Sequence, residues 1–213
     1  MKSQYIYMNV IAPSFNLLPV LIAFLRYRFL TRAAKTLLVY LTVNAAINTI
    51  ASVLAYYHLP NTPLFHCSTV LETLLLLFFF RQVLPSQKTG LIIKWFFYLF
   101  PVAAVLNLVF LQHLFEFNSY ILSLQSILII TLCFLYMWLN ENPEIISWTD
   151  IPFNWMVSGL LLYFSSAFIL FTFSNFIIPL STKKTLILIW NVHATLTILM
   201  FILISIGYTK FKK

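Results

Sequence analysis

Charge is scarce in this chain. Five acidic and thirteen basic residues in 213 make it 8% charged, where about 25% is usual for a soluble domain. That shortage, with 62% hydrophobic residues and a mean hydropathy of +0.94, excludes a soluble fold and places most of the chain in a membrane. Glycine is almost missing. Gly90, Gly159 and Gly207 form no GxxxG pair, so close helix contacts are expected at small residues such as Ala45, Ala51, Ser52 and Ala55. The two cysteines, Cys67 and Cys133, fall in different apolar runs at different depths, which argues against a disulfide. His58, His66, His113 and His193 match no zinc-ligand spacing, and there is no haem attachment motif, so no metal and no cofactor is called for. The chain has no internal repeat and no low-complexity linker.

Seven apolar runs remain: about Tyr5–Leu25, Thr36–Tyr57, Pro63–Phe80, Leu91–Leu111, Ser119–Leu139, Phe153–Asn175 and Thr185–Tyr208. Each approaches the ~20 residues that a membrane-crossing helix requires. Helices are expected because backbone groups in lipid must be satisfied within the segment, and the runs lack the period-two alternation of a barrel. The fold class is therefore all-α: a single domain, residues 1–213, of seven transmembrane helices. The opening residues lack a compact basic region and a small-residue cleavage site, so they are expected to stay as a first helix. The connections are too short for a soluble domain.

Lys and Arg set an expected orientation. With the N-terminus outside, ten of the thirteen fall inside: Arg26, Arg28, Arg32, Lys35, Arg81, Lys88, Lys94, Lys210, Lys212 and Lys213. Lys2, Lys183 and Lys184 fall outside. N-out, C-in follows, with Glu141, Glu144 and Asp150 in an inner loop. Because the basic residues sit at the ends of apolar runs, they read as anchors to the lipid bilayer, and nucleic-acid binding is rejected.

The third run carries Glu72 with apolar residues on both sides and Leu74 to Phe80 after it. A charged side chain costs at least a few kcal/mol in a bilayer core, so this one must be protonated, paired or turned into a wet cavity. At ~1.5 Å of rise per residue, Glu72 lies about 15 Å below the outer end of its helix. Asn16, Asn48, Ser165, Ser166 and His193 come out at roughly 12–15 Å from the same surface. Asn44, Asn48 and Ser52 share a helical face, as do Asn191 with Thr195 and His193 with Thr197. Ser68 stands one turn before Glu72, and Gln125 and Asn107 lie nearer the outer end. These groups are expected to face inward, giving a ligand-binding set of Glu72, His193, Asn48, Asn16, Asn44, Asn191, Ser68, Ser165, Ser166 and Gln125 in the outer half. The inner half reads as dry.

Each of these residues has a structural reading too. Amides and hydroxyls in membrane helices commonly do no more than bond neighbouring helices, at about 0.6 kcal/mol each. Glu72 is harder to explain that way, since a glutamine would supply the same hydrogen bonds. For His193 both accounts stand: a neutral imidazole bonded to an amide, or a partner sharing a proton with Glu72. Pro13, Pro19 and Pro101 are placed to bend their helices. Tyr56, Tyr57, Trp138, Trp148 and Trp155 suit interfacial belts.

Three stretches, Ile151-Pro-Phe-Asn-Trp on through Gly159 to Tyr163-Phe-Ser-Ser, Val70-Leu-Glu72 up to Phe80-Arg81, and Ile189-Trp-Asn-Val-His193, resemble an uncharacterised family of bacterial seven-helix inner-membrane proteins. Its members are similar to the membrane-sensing regions found near histidine kinases. The resemblance implies a multi-pass protein of the bacterial cytoplasmic membrane and a signalling role. It carries no catalytic residue.

The expected function is that of a sensor-like or receptor-like protein. A small-molecule or lipidic ligand, or a proton, would bind in the outer half. The state would pass to a cytoplasmic or membrane signalling partner through Arg26 to Lys35 and the tail Lys210 to Lys213. A small-solute or lipid transporter is the alternative, against which stand the missing repeat and the apolar inner half. An intramembrane lipid-modifying enzyme is disfavoured, because Cys67 or Ser68 near Glu72 is too little for a nucleophile with its base. A plain structural subunit of a larger complex is the fourth reading.

Overall fold

The computed structural model describes residues 6–84, 86–140 and 147–212. Lys2, Glu141, Glu144 and Lys213 lie outside the described residues. Those described form helices joined by short loops, with no strand among them. Six helices are long and apolar enough to cross a membrane.

The first expected span is in pieces: a π-helical turn Tyr7–Ile11, a short stretch Ala12–Ser14, and α1, Leu17–Leu25. Its two prolines explain this. Pro13 and Pro19 have no N–H to give the helical ladder. Phe15 O, which Pro19 cannot serve, takes the Leu18 N–H at 3.1 Å instead, and the chain turns at Phe15 and Asn16. A continuous helix would carry Asn16 on its outer wall or its inner wall by register alone; the break fixes it inward, 1% exposed.

The remaining helices are α2 (Arg32–Tyr56), α3 (Thr62–Val83), α4 (Gln87–Phe110), α5 (Ser119–Leu139), α6 (Pro152–Leu180) and α7 (Lys183–Thr209). Their starts follow local chemistry. Thr31 and Thr182 accept the N–H of Ala34 and Thr185 as N-caps of α2 and α7, and Pro63 and Pro152 occupy the first turns of α3 and α6, where a missing N–H costs nothing. After α2 the chain turns through His58 at φ 58°, a left-handed residue that ends the helix. Pro101 is accommodated inside α4 without ending it.

The helices α1, α2, α3, α5, α6 and α7 follow one another round a ring that closes where α1 packs on α7, while α4 lies outside, against α3 and more lightly α5. One end of this ring collects the Arg26 side. There Arg26 Nη1 donates to Thr209 O and Phe211 O at 2.7 Å each, Tyr208 Oη donates to Ala34 O at 3.0 Å, and Lys210 pairs with Asp150 at 3.5 Å. The other end carries Lys183, His66 and Glu116. In the Arg26 half the core is dense and apolar: Leu76, Leu77, Phe79 and Phe80 of α3 are fully buried, with Met156, Leu160, Ile204 and Tyr208 from α6 and α7.

Two glycines sit at close helix contacts. Gly159 of α6 lies so close to α7 that a Cβ there would stand 3.0 Å from Met200 O, and a Cβ on Gly207 of α7 would stand 2.8 Å from Pro152 O and 2.6 Å from Met156 Cγ. The two glycines belong to different helices, so no GxxxG spacing marks them. Of the small residues expected at contacts, Ala51 is buried and Ala45 half-buried, whereas Ser52 and Ala55 are exposed. Both cysteines are free, Cys67 exposed and Cys133 buried.

Candidate functional site

The Lys183 half of the ring is hollow. A cavity of about 640 Å³ lies between α2, α3, α5, α6, α7 and the pieces before α1; α4 contributes nothing to it. It runs from Thr62, Glu116 and Lys183 near the end of the bundle down to Glu72, Met200 and Phe201, where the dense core begins.

Glu72 is half-buried and lines this cavity. Its Oε1 accepts from Asn44 Nδ2 of α2 at 3.1 Å. Asn44 is itself held from two sides, since its Oδ1 accepts from Asn48 Nδ2 at 3.0 Å and from Asn16 Nδ2 at 3.2 Å. Asn48 also bonds Asn44 O at 2.9 Å, and Asn16 bonds Leu41 O at 3.0 Å. Asn16, from the turn before α1, and Asn48 of α2 thus give to Asn44, which gives to the carboxylate on α3. Each link polarises the next, which strengthens a chain of this kind where water is excluded. No ion pair to Glu72 occurs among the described residues.

His193 lines the same cavity from α7. Its Nδ1 lies 3.1 Å from Ser166 Oγ, and no hydrogen bond joins it to Glu72 among the described residues. Rings enclose it: Tyr163 at 5.2 Å between centroids, Phe171 at 5.8 Å and Trp190 at 6.2 Å. Phe117, from the loop between α4 and α5, packs on Phe171 and Trp190 at 5.7 and 6.4 Å and roofs the group. That loop is pinned. His66 Nε2 contacts Glu116 O at 3.1 Å, and Gln112 Nε2 donates to Phe117 O and Ser119 Oγ at 2.9 Å.

Of the ten residues singled out in the sequence, Glu72, His193, Asn44, Asn48, Ser68 and Gln125 line the cavity. Asn16 and Ser166 stand behind them, bonded to Asn44 and His193. Ser165 and Asn191 are not among the lining residues, although Asn191 Oδ1 is buried without a partner. Ser52, the third member of the Asn44 stripe, is exposed and bonds Asn48 O at 2.8 Å. Asn107 is a loop anchor, giving its amide to Gln112 Oε1.

Other residues complete the wall without having been singled out. Tyr40 lies one turn before Asn44 on the face that the stripe defines, and Trp190 lies three residues before His193; both spacings were signals available in the sequence. Asn118 had no such signal. It enters from the end of the loop and lines the cavity, 3% exposed, donating to Thr69 Oγ1 at 3.4 Å, while its Oδ1 is buried out of contact with the hollow and has no partner among the described residues. Among the described residues no group of three or more His, Cys, Asp or Glu is arranged to hold a metal ion.

Compared with protein families, with curated proteins and with solved structures, the chain matches none.

Proposed function

We propose that this protein is a receptor-like membrane protein that binds a small ligand in the cavity around Glu72 and passes its state to a partner. One observation carries the reading: a closed-bottomed cavity of about 640 Å³ holds a carboxylate and an imidazole among aromatic rings. That size and mixture, a mostly apolar wall with a few placed polar groups, suits a small-molecule site of ~300–1,000 Å³. A hydrogen-bonded cluster kept only for packing would fill its own space.

The broken first segment and the six long helices support seven crossings, with α1 as the last part of the first. The basic residues at the Arg26 end, Arg26, Arg28, Arg32, Lys35, Arg81, Lys210 and Lys212, support N-out, C-in, which puts the cavity in the outer half. A bacterial inner membrane and a signalling partner docked on Arg26–Lys35 and Lys210–Lys213 complete the proposal. Asn16 ties the break in the first segment to Asn44 and Glu72, so a ligand that draws on the carboxylate also draws on the element leading to that basic loop.

The test is native mass spectrometry of protein purified from its own membrane. A small-molecule adduct is expected in the wild type and is lost in Glu72→Gln and in His193→Ala. Equal occupancy in all three, or no adduct in any, removes the reading.

A transporter is the second reading, favoured by the discontinuous first segment beside the cavity, a device that transporters use at their binding sites. The packed plug of Leu76, Leu77, Phe79 and Phe80 below Glu72 weighs against it. Substrate flux in reconstituted vesicles that stops in Glu72→Gln promotes it.

A further inference from the structure

We infer that the cavity takes an amphipathic ammonium: a protonated amine on a ring-bearing apolar body, with the nitrogen at Glu72 and the body along the aromatic wall. The inference rests on the ligand-binding reading above and gives its chemistry.

The polar groups at the cavity ask for donors. Glu72 has one amide donor on Oε1 and no cationic side chain paired with it among the described residues. An ammonium supplies up to three N–H groups, whereas a carboxylate or phosphate supplies none and would meet Glu72 with like charge. The placement of charge along the cavity agrees. Lys183, the cation among the described lining residues, begins α7 at the end of the bundle. Glu72 lies ten residues along α3 from Thr62, about 15 Å deeper. An anionic ligand would find its cation at the entrance and a carboxylate in the depth; an amine finds the reverse.

The wall selects the rest of the molecule. Phe117, Tyr163, Phe171 and Trp190 all line the cavity and pack edge-on or tilted to one another or to His193. Ring faces in that arrangement hold an aryl or cycloalkyl body and attract a cation that lies over them. The Asn16 and Asn48 donors behind Asn44 keep its amide oriented toward the carboxylate, so the acceptor is in place before the ligand arrives and little ordering cost remains.

The experiment uses the full chain in lipid nanodiscs and three probes that share one body: phenylbutylamine, phenylbutanol and phenylbutyrate. Binding is read from the fluorescence of Trp190, the tryptophan lining the cavity, taken as the difference from Trp190→Phe titrated identically, which also subtracts partition into lipid. The amine is expected to bind at least about tenfold tighter than the alcohol, the range of a charged hydrogen bond, with the carboxylate weakest. Glu72→Gln is expected to bring amine and alcohol together, and a thermal unfolding transition like the wild type's shows the variant folded. The ranking on the wild type needs no variant. If the alcohol or the carboxylate binds as tightly as the amine, or Glu72→Gln keeps the preference, the ammonium inference fails and the cavity's role as a ligand site stands. If none of the three perturbs Trp190, both fail.

Discussion

Asn44 Nδ2 donates to Glu72 Oε1 at 3.1 Å, and this bond joins α2 to α3 at the floor of the cavity. Asn44 is the one amide that both gives to the acid and receives from its neighbours, so removing it strands more than itself. Asn44→Ala is expected to lower stability by about 1–2 kcal/mol, near the upper end for a membrane hydrogen bond, because Asn16 and Asn48 lose an acceptor at the same time. Asn48→Ala, both of whose bonds go to Asn44 within the same helix, is expected to cost less. Thermal unfolding in nanodiscs orders the two, and the double variant Asn16→Ala/Asn44→Ala should cost less than the sum of the singles.

The three glycines make a graded set. Gly207→Ala places a methyl 2.8 Å from the backbone of Pro152, which cannot move aside as a side chain can, and overpacking of this kind costs about 1–3 kcal/mol. Gly159→Ala is milder, with Met200 O at 3.0 Å. Gly90→Ala meets only the end of Arg81 at 3.8 Å and gains about 0.5–1 kcal/mol of helix preference. One series of melting curves checks the order; a Gly207→Ala as stable as Gly90→Ala contradicts the packing of α6 on α7.

These packing facts show where the sequence was readable. Glu72, Asn44, Asn48 and His193 stand out because an acid, amides and an imidazole inside apolar runs have few inexpensive places to be, and helical spacing puts Asn44 and Asn48 on one face of α2. The glycine contact was not readable, since Gly159 and Gly207 meet only after two helices cross and neither helix alone carries the pattern. Asn118 and Phe117 reach the cavity because His66 and Gln112 pin a loop, a tertiary event with no periodicity to announce it. Pro13 and Pro19 gave notice of a bend, but the π-helical turn before Pro13 and the inward swing of Asn16 follow from which carbonyls the prolines leave for other donors. Aromatic residues were the most ambiguous class, because a ring facing lipid and a ring facing a cavity have the same hydropathy.

Arg26 bonds Thr209 O, the last carbonyl of α7, and Phe211 O just beyond it, and brings its positive charge to the negative end of that helix. Arg26→Gln is expected to release the last turn. Hydrogen exchange of residues 205–212 should rise about tenfold while that of α3 stays unchanged, matching the loss of ~1–2 kcal/mol of local stability. Uniform loss of protection through the chain would instead mark a global defect.

The proposed orientation has a direct check. In a chain carrying Cys67→Ser and Cys133→Ala, a cysteine placed at Lys184 is expected to react with a membrane-impermeant maleimide on intact cells, and one placed at Lys212 only after the membrane is opened. Both positions are described and exposed, so access alone decides the outcome. The opposite pattern reverses the topology and turns the cavity toward the cytoplasm.

The contact of Gly159 and Gly207 with the opposing helix joins α6 to α7 on the side away from the hollow. The same two helices are joined again at the far end, where only Ser181 and Thr182 separate them, and at mid-length by Ser166 Oγ and His193 Nδ1 at 3.1 Å. A wall fastened at three levels moves as one piece. Under the proposed function, the parts of the cavity wall left to shift against it are those tied by single side chains, among them the interrupted segment that Asn16 fastens to Asn44.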